Sequence, residues 1–193
     1  DCSSVVLACN AYLPLLMPKV SSVIRAHRAQ MIATVASPLP LLPVPFQGAV
    51  SSSDRNVEGI PSYYGRSLPD GRIIFGGGRA EAPETERVHA LDTTMMGRVQ
   101  EAIGGFLEKH FPEIARLPVT HRWGGAMALT PDKRPLVGLL PGSKHTYIAA
   151  GMNGNGMGAY GTISAKMVAD LLVQTPDAKN PYDLFNPERF AVL

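Results

Sequence analysis

The sequence predicts an α+β fold in which most strands pair antiparallel. A Pro-Asp-Gly turn at 69–71 joins two short apolar segments, which is the signature of a hairpin. Two segments, one starting after Asp92 and one near the C-terminus, carry apolar residues at helical spacing. Strands and helices do not alternate regularly, so the pattern does not predict a doubly wound parallel sheet.

Composition excludes several classes of protein. The 193 residues suffice for one or two domains, and a net charge of +2 gives no reason to expect a nucleic acid or an anionic membrane as partner. We see no apolar run long enough to span a bilayer and no signal peptide before the first strand. Cys2 and Cys9 are too close for a disulfide framework, which favours a reduced, cytoplasmic protein.

The start of the chain suggests that it is part of a longer protein. Asp1 is followed almost at once by the apolar strand Val5 to Ala8, without an initiator Met or a leader. Our hypothesis from the sequence is that these residues form the C-terminal part of a longer polypeptide.

Each element of the N-terminal part follows from local pattern. Proline interrupts the short helix and makes the next apolar stretch extended and irregular. The predictions in chain order are a strand at 5–8, a turn at 9–12, a short helix at 13–20, a strand at 24–35, an irregular segment at 38–45, and loops at 48–54 and 56–59.

The C-terminal part is more regular. Asp92 is a candidate N-cap for a helix that places Met96, Val99, Ile103, Phe106 and Leu107 on one face and stops at Pro112. The other predictions are hairpin strands at 62–66 and 72–76, a loop at 80–87, strands at 119–129, 136–140 and 147–150, and a last helix with Tyr160, Ile163, Met167, Val168, Leu171 and Leu172 on one face.

The turn from Gly151 to Gly158 is the strongest functional signal. It connects a buried strand to a helix and holds four glycines in eight residues, where a plain turn needs one or two. Glycine lets a backbone approach a ligand closely, and a helix N-terminus favours an anionic or electron-rich group. The turn lacks the Lys-Ser or Lys-Thr of a P-loop and lies far from any N-terminal βαβ unit. A tight turn with no ligand is the alternative reading.

Other candidate residues give weaker signals. Tyr63 and Tyr64 are adjacent on a strand, so one is expected in the core and the other in a pocket. Arg79 follows three glycines and could reach a carboxylate, although a solvated surface position is the more common case. Trp123, the only tryptophan, is expected in the core. The five histidines have no metal-ligand spacing, and no nucleophile elbow is present.

Three motifs, taken in order, resemble a known family. They are Arg122-Trp123-Gly124-Gly125, the segment Thr130 to Gly138 that begins Thr-Pro-Asp, and the segment Tyr147 to Gly158. Together they look like the C-terminal signature of the FAD-dependent amine and amino-acid oxidases, the group of D-amino-acid, glycine and sarcosine oxidases, with most similarity to the gamma-glutamylputrescine oxidase-like branch. The strand and turn from Val5 to Tyr12 and the strand from Gln30 to Thr34 extend the resemblance over nearly the whole chain.

The resemblance implies a cofactor, a reaction and partners. The family oxidises a C–N bond by hydride transfer to flavin, hydrolysis of the imine and reoxidation by O2. It also implies a missing N-terminal half, because the dinucleotide-binding Gly-x-Gly-x-x-Gly of the family has no counterpart here. The implied FAD-binding residues are Ala8, Cys9, Asn10, Gly125, Gly151, Met152, Asn153, Gly154, Asn155, Gly156 and Met157, and the implied substrate-binding residues are Tyr63, Tyr64, Met127 and Asn155.

Departures from the family pattern refine these expectations. Gly125 stands where sarcosine oxidases attach FAD through a Cys, so the FAD is expected to be non-covalent. Gly158 stands in place of a Lys, which leaves a helix expected to begin near Gly156 to face flavin N1. Met127 stands about where glycine oxidases carry an Arg for the substrate carboxylate, which favours a larger amine or an N-substituted amino acid.

The resemblance also divides the chain. Residues 1–23 would be a remnant of the FAD-binding domain, residues 24–120 a substrate-binding antiparallel domain with a helix, and residues 121–193 the return to the FAD-binding domain. A different class of function stays open, namely a non-catalytic binding or scaffold subunit that kept the fold without flavin. No catalytic residue and no metal site is predicted.

Overall fold

The computed structural model describes residues 1–39, 45–48, 63–81, 91, 95 and 97–191. The chain divides into two compact units, one formed by residues 1–27 with 127–193 and the other by residues 28–126. The predicted loops at 48–54, apart from Gly48, and at 56–59, most of the loop at 80–87, and the predicted N-cap Asp92 and Met96 lie outside the described residues. Gly48 ends a strand, so its assignment to a loop is wrong.

The first unit holds a three-stranded sheet in the order β1-β8-β7. Strand β1 (Val5–Leu7) runs parallel to β8 (Thr146–Ala150), which pairs antiparallel with β7 (Leu136–Leu139). Gly142, with φ +77°, allows the tight turn between β7 and β8. Its helices are α1 (Leu13–Leu16), α4 (Gly161–Leu172) and α5 (Tyr182–Phe185), and its core contains Val137, Met167, Val168 and Phe185.

The second unit is built on a five-stranded sheet in the order β3-β4-β5-β2-β6. Strand β4 pairs antiparallel with β3 and β5, and β5 pairs antiparallel with β2. Helices α2 (Gly97–His110) and α3 (Pro112–Ala115) follow β5 along the chain. The strands are β2 (Arg25–Ala36), β3 (Pro45–Gly48), β4 (Tyr63–Ser67), β5 (Arg72–Gly77) and β6 (Val119–Leu129), of which β2 and β6 continue into the first unit.

The core of the second unit explains why α2 forms where the apolar period predicts it. Val99, Ile103, Phe106 and Leu107 are buried, which is the predicted face of the helix. They pack against Ile32, Tyr63 and Phe75 of the sheet. Burial of this stripe stabilises a helix that carries two interior glycines.

The fold class predicted from the sequence is confirmed: the chain is α+β with a largely antiparallel sheet. The hairpin of β4 and β5, strand β6 and the predicted face of α2 also occur as predicted. Strand β3 was not predicted, because Pro45 lies at its first position and proline usually marks irregular chain. Leu172, predicted on the buried face of the last helix, is exposed at the helix end.

Two side chains lie in environments opposite to those predicted. Trp123 is 38% exposed on β6, an edge strand of the five-stranded sheet, so the prediction that it belongs to the core is wrong. Arg79 is only 7% exposed, so the expected solvated surface position is wrong as well. The preceding Gly77 and Gly78 both have positive φ and turn the chain, so that Arg79 lies inside.

Candidate active site

The glycine turn lies between β8 and α4 in the first unit. Three of its residues, Gly151, Asn153 and Gly154, have φ of +72°, +51° and +79°, so the chain reverses direction within four residues. A Cβ on Gly151 would lie 2.6 Å from Cγ2 of Thr130, which leaves no room for a side chain. Glycine is therefore required at position 151 for both conformation and space.

Asn153 fixes the middle of the turn from inside. It is 5% exposed, and its N–H donates to the Ala128 carbonyl at 2.8 Å. Its Oδ1 accepts from the Thr130 N–H at 2.9 Å, while its Nδ2 donates to the Thr130 hydroxyl and to the Gly151 carbonyl. A buried carboxamide with all these partners holds one backbone geometry.

Asn10 fixes the beginning of the turn from the other side. It follows β1 in the chain, and its Oδ1 accepts from the N–H groups of Gly151 at 3.0 Å and Met152 at 3.2 Å. The Met152 sulfur in turn accepts from the Ser164 hydroxyl of α4 at 3.8 Å. The turn is thus tied both to the segment after β1 and to the helix that follows it.

The end of the turn presents backbone donors instead of using them. Among the residues that the structure describes, none accepts from the N–H groups of Gly154, Gly156 and Met157. Gly154 and Met157 are exposed and Gly156 is half-buried. Exposed backbone donors of this kind can bind an electronegative ligand.

The helix does not begin where the sequence suggested. Gly156–Tyr160 forms a wide turn with a non-helical Gly158, and the regular α-helix begins at Gly161. The prediction of a helix start near Gly156 is therefore wrong by about one turn of helix. Gly158 breaks the helical conformation, so the exposed N–H groups belong to a wide turn that precedes the regular helix.

Several predicted residues of the first unit lie at this turn, and two lie directly after β1. A Cβ on Gly154 would lie 3.6 Å from the Met127 sulfur, which places Met127 beside the turn. Asn155 donates from Nδ2 to the Asn153 carbonyl. Ala8 and Cys9 are exposed after β1, and Cys9 is a free thiol.

The remaining predicted residues belong to the second unit. Gly125 lies on β6, where an added Cβ would meet none of the described residues within 4 Å. Tyr63 lies in the core, and its ring stacks on Phe106 with 4.0 Å between centroids. Tyr64 is half-buried on the opposite face of β4, and burial raises its pKa although the charge of Arg79 acts in the other direction. The adjacent tyrosines thus face opposite sides, as the strand period requires.

Sequence reasoning missed the residues that support the turn. In the sequence, Thr130 is only the first residue of the Thr-Pro-Asp motif, yet its backbone N–H and its hydroxyl form hydrogen bonds with Asn153. The three-residue motif was the one available signal, because its partner lies 23 positions away. No group of three or more metal-ligating side chains occurs within the described part of the chain, and no helix there is long and apolar enough to cross a membrane.

Comparison with known proteins identifies relatives of this chain. The sequence profile of the family described as FAD dependent oxidoreductase matches residues 1–171. A curated relative, the probable oxidoreductase OrdL of Rhizobium meliloti, is 28% identical over 129 residues, which cover 67% of this chain and 27% of OrdL.

Solved structures share the fold over almost the full chain. An L-proline dehydrogenase from P. horikoshii is similar with a TM-score of 0.73 at 24% identity, over 97% of this chain and 47% of its own. An iminodiacetate oxidase from Chelativorans sp. BNC1 gives 0.75 at 16% identity, over 97% and 46%. A glycine oxidase from Geobacillus kaustophilus gives 0.74 at 19% identity, over 97% and 45%. The chain therefore spans about half the length of these structures.

Proposed function

The chain belongs to the family of FAD dependent oxidoreductases, and on that premise we propose that the protein carrying it oxidises the C–N bond of an amine or an N-substituted amino acid. FAD is the cofactor of the family, and we propose that it binds here without a covalent bond. The observation that carries the proposal is the set of backbone donors at Gly154, Gly156 and Met157 that have no acceptor among the described residues.

These donors suit the edge of a flavin ring. The pyrimidine half of the ring carries carbonyl oxygens and ring nitrogens, which accept hydrogen bonds from backbone N–H groups. Glycine at 154 and 156 leaves no side chain between the backbone and a flat ligand. The residues present therefore fit the group that the family binds, and we assign the pyrimidine edge to the turn.

The chemistry follows from preorganised donors. When bound, FAD supplies a hydride acceptor for the carbon that bears the amine nitrogen. The N–H groups of Gly154, Gly156 and Met157 would stabilise negative charge that develops at the pyrimidine edge. They need not reorganise, because Asn10 and Asn153 hold the turn by side-chain hydrogen bonds.

Met127 supports the choice of substrate class. Its thioether lies beside Gly154, and it offers no charge to a small α-carboxylate. We propose that Met127 and Asn155 line the substrate side of the first unit. In the second unit we propose Tyr64 for this role, because Tyr63 is packed in the core. O2 as electron acceptor and an N-terminal half that completes the FAD site belong to the same proposal.

The direct test is a visible absorption spectrum of the full-length protein. We expect a flavin band that bleaches anaerobically with amines or N-substituted amino acids and returns when O2 is admitted. A colourless protein that takes up no added FAD would sink the proposal and leave a non-catalytic binding subunit as the better explanation. Bleaching by small α-amino acids only would contradict the role given to Met127.

A pair of glycine variants tests the assigned position. An added Cβ at Gly156 would lie 3.4 Å from the Met152 Cβ, an ordinary contact, so the first carbon of Gly156→Val fits the turn and we expect its methyl groups to crowd a ligand. We expect it to weaken FAD retention about tenfold, the size of a moderate overpacking penalty. Gly97→Val in the second unit is the control, since the nearest contact of its Cβ among the described residues is 4.0 Å away, and its FAD content should match wild type.

A further inference from the structure

Asn10 has a backbone conformation that few side chains adopt. Its φ is +46°, in the left-handed region, where asparagine is one of the few residues other than glycine found with any frequency. It begins a single 3-10 turn, Asn10–Tyr12, directly after the segment that leaves β1. The left-handed conformation is available to glycine at lower cost, so the side chain of Asn10 needs a separate explanation.

Its carboxamide oxygen provides that explanation. Oδ1 accepts two bonds from consecutive backbone groups, the N–H of Gly151 and the N–H of Met152, across 141 and 142 positions of sequence. One oxygen with two lone pairs is the acceptor that two adjacent N–H groups require. The first two donors of the glycine turn are therefore used by Asn10.

The other N–H groups of the turn also fall into two sets, those bound to protein carbonyls and those left without such a partner among the described residues. The Asn153 N–H binds the Ala128 carbonyl at 2.8 Å, and the Asn155 N–H binds the Met152 carbonyl at 2.9 Å. In the described structure, the N–H groups of Gly154, Gly156 and Met157 are left for a ligand. A turn with four glycines in eight residues could present its amides in many directions, and Asn10 binds the two at its start.

We propose that Asn10 is a positioning residue for the flavin-facing turn. By taking the N–H groups of Gly151 and Met152, it determines that the later amides of the turn are the ones presented to the pyrimidine edge. Asn10 itself donates nothing to the flavin through these bonds and acts through the backbone that it holds. This inference rests on the proposed function.

The test uses the full-length protein with FAD and replaces Asn10 in two ways. Asn10→Gly keeps the left-handed conformation and removes the acceptor. Asn10→Asp keeps an acceptor at the same place. Gln174→Gly is the matched control, because Gln174 also has a positive φ, +57°, and its side chain makes no hydrogen bond among the described residues. It measures the effect of a new glycine alone.

Two readouts separate positioning from simple stability. The first is amide hydrogen exchange at Gly151 and Met152, which we expect Asn10→Gly to accelerate about tenfold, the value of one to two lost hydrogen bonds. We expect Asn10→Asp to keep exchange close to wild type. The second is the flavin midpoint potential, which we expect Asn10→Gly to make more negative because fewer ordered donors face the reduced ring.

Each outcome decides between the two proposals. Faster exchange in Asn10→Gly with a wild-type flavin spectrum and potential would overturn the positioning role and leave the proposed function standing. Unchanged exchange would overturn the role as well, since the two bonds would then not hold the turn. A wild-type protein that binds no FAD would remove the proposed function and, with it, this inference. Wild-type values for all readouts in Gln174→Gly are required for a supporting result.

Discussion

The guanidinium of Arg189 donates two hydrogen bonds to the carboxylate of Asp132, from Nε to Oδ2 at 2.7 Å and from one terminal nitrogen to Oδ1 at 3.2 Å. The same guanidinium donates to three carbonyls, those of Arg134, Phe185 and Asn186, at 2.9 to 3.1 Å. The C-terminal segment is thereby attached to the Thr-Pro-Asp loop. That loop begins at Thr130, which supports the glycine turn through Asn153.

Replacement of Arg189 is expected to destabilise the first unit. Arg189→Ala removes two charge-assisted bonds and leaves three carbonyls without their donor, so we expect the free energy of unfolding to fall by about 2–3 kcal/mol. Arg189→Lys should recover only part of this loss, because an ammonium cannot form the planar two-bond contact. Urea unfolding followed by circular dichroism measures both variants.

An exposed ion pair in the second unit provides the control. Arg72 and Asp70 also form a close pair at 2.8 Å, but both side chains are about half exposed. Arg72→Ala should therefore change stability much less than Arg189→Ala. Equal losses of unfolding free energy in the two variants would show that the contact of Arg189 with Asp132 stabilises the protein no more than an exposed ion pair does.

The Asp132 carboxyl makes the same contact sensitive to acid. Burial acts to raise its pKa, but hydrogen bonds from Arg189 and the Arg134 N–H outweigh burial, so its folded-state pKa is lowered. The stabilisation is therefore fully present above the unfolded pKa of about 3.9 and is lost as pH falls through the lower folded value.

The corresponding experiment compares wild type with Asp132→Asn between pH 7 and pH 2. We expect wild type to be the more stable at pH 7, and the difference in unfolding free energy to shrink steadily below about pH 4. Asp132→Asn cannot gain or lose this proton, so its own curve reports all the other carboxyl groups. A difference that stays constant across this range would mean that the contact does not depend on the charge of Asp132.

Gly151 is expected to tolerate no side chain. Gly151→Ala meets Cγ2 of Thr130 at 2.6 Å and also strains a φ of +72°. Left-handed alanine costs about 1–2 kcal/mol, and the overlap adds about 1–3 kcal/mol. Gly142→Ala isolates the first cost, since its φ of +77° is similar and its Cβ would meet no residue of the described ranges within 4 Å. Thermal unfolding should rank Gly151→Ala clearly below Gly142→Ala, and the reverse order would contradict the packing described here.

Gly104 is expected to behave in the opposite way. It lies inside α2, and a Cβ there would meet nothing within 4 Å in the described part of the chain, so we expect Gly104→Ala to gain helix propensity without a clash. We expect stability to rise by about 0.5–1 kcal/mol, measured by urea unfolding. Gly161→Ala, at the first position of α4, should lower stability instead, because its Cβ would collide with the Gly156 carbonyl oxygen.

The sequence predicts those parts of the molecule in which local pattern and tertiary packing agree. The buried face of α2, the hairpin around Gly71 and strand β6 follow from periodicity and turn chemistry alone. The family and its cofactor follow from the order of three motifs near the C-terminus, which the match over residues 1–171 confirms.

The features that the sequence did not predict depend on contacts between residues that are far apart in the chain. Asn10 was predicted near the cofactor, but nothing local shows that its side chain meets Gly151 across 141 positions. Arg189 and Asp132 are 57 positions apart, and although Asp132 belongs to the Thr-Pro-Asp motif, nothing in the sequence pairs it with Arg189. Arg79 is buried and Trp123 is exposed, which is opposite to the average preferences of their residue types. Residue type alone therefore predicts the wrong environment for both side chains.

The two Asn-Gly pairs of the glycine turn are expected to differ in their rates of deamidation. Asparagine before glycine loses ammonia when the next backbone nitrogen attacks its side-chain carbonyl, and water then opens the ring to an acid. Asn153 is buried and bound through both side-chain atoms, whereas Asn155 is exposed with one hydrogen bond. On prolonged storage we expect peptide mapping to find deamidation at Asn155 and not at Asn153. Deamidation of Asn155 would then add a negative charge beside the backbone N–H groups that the turn presents.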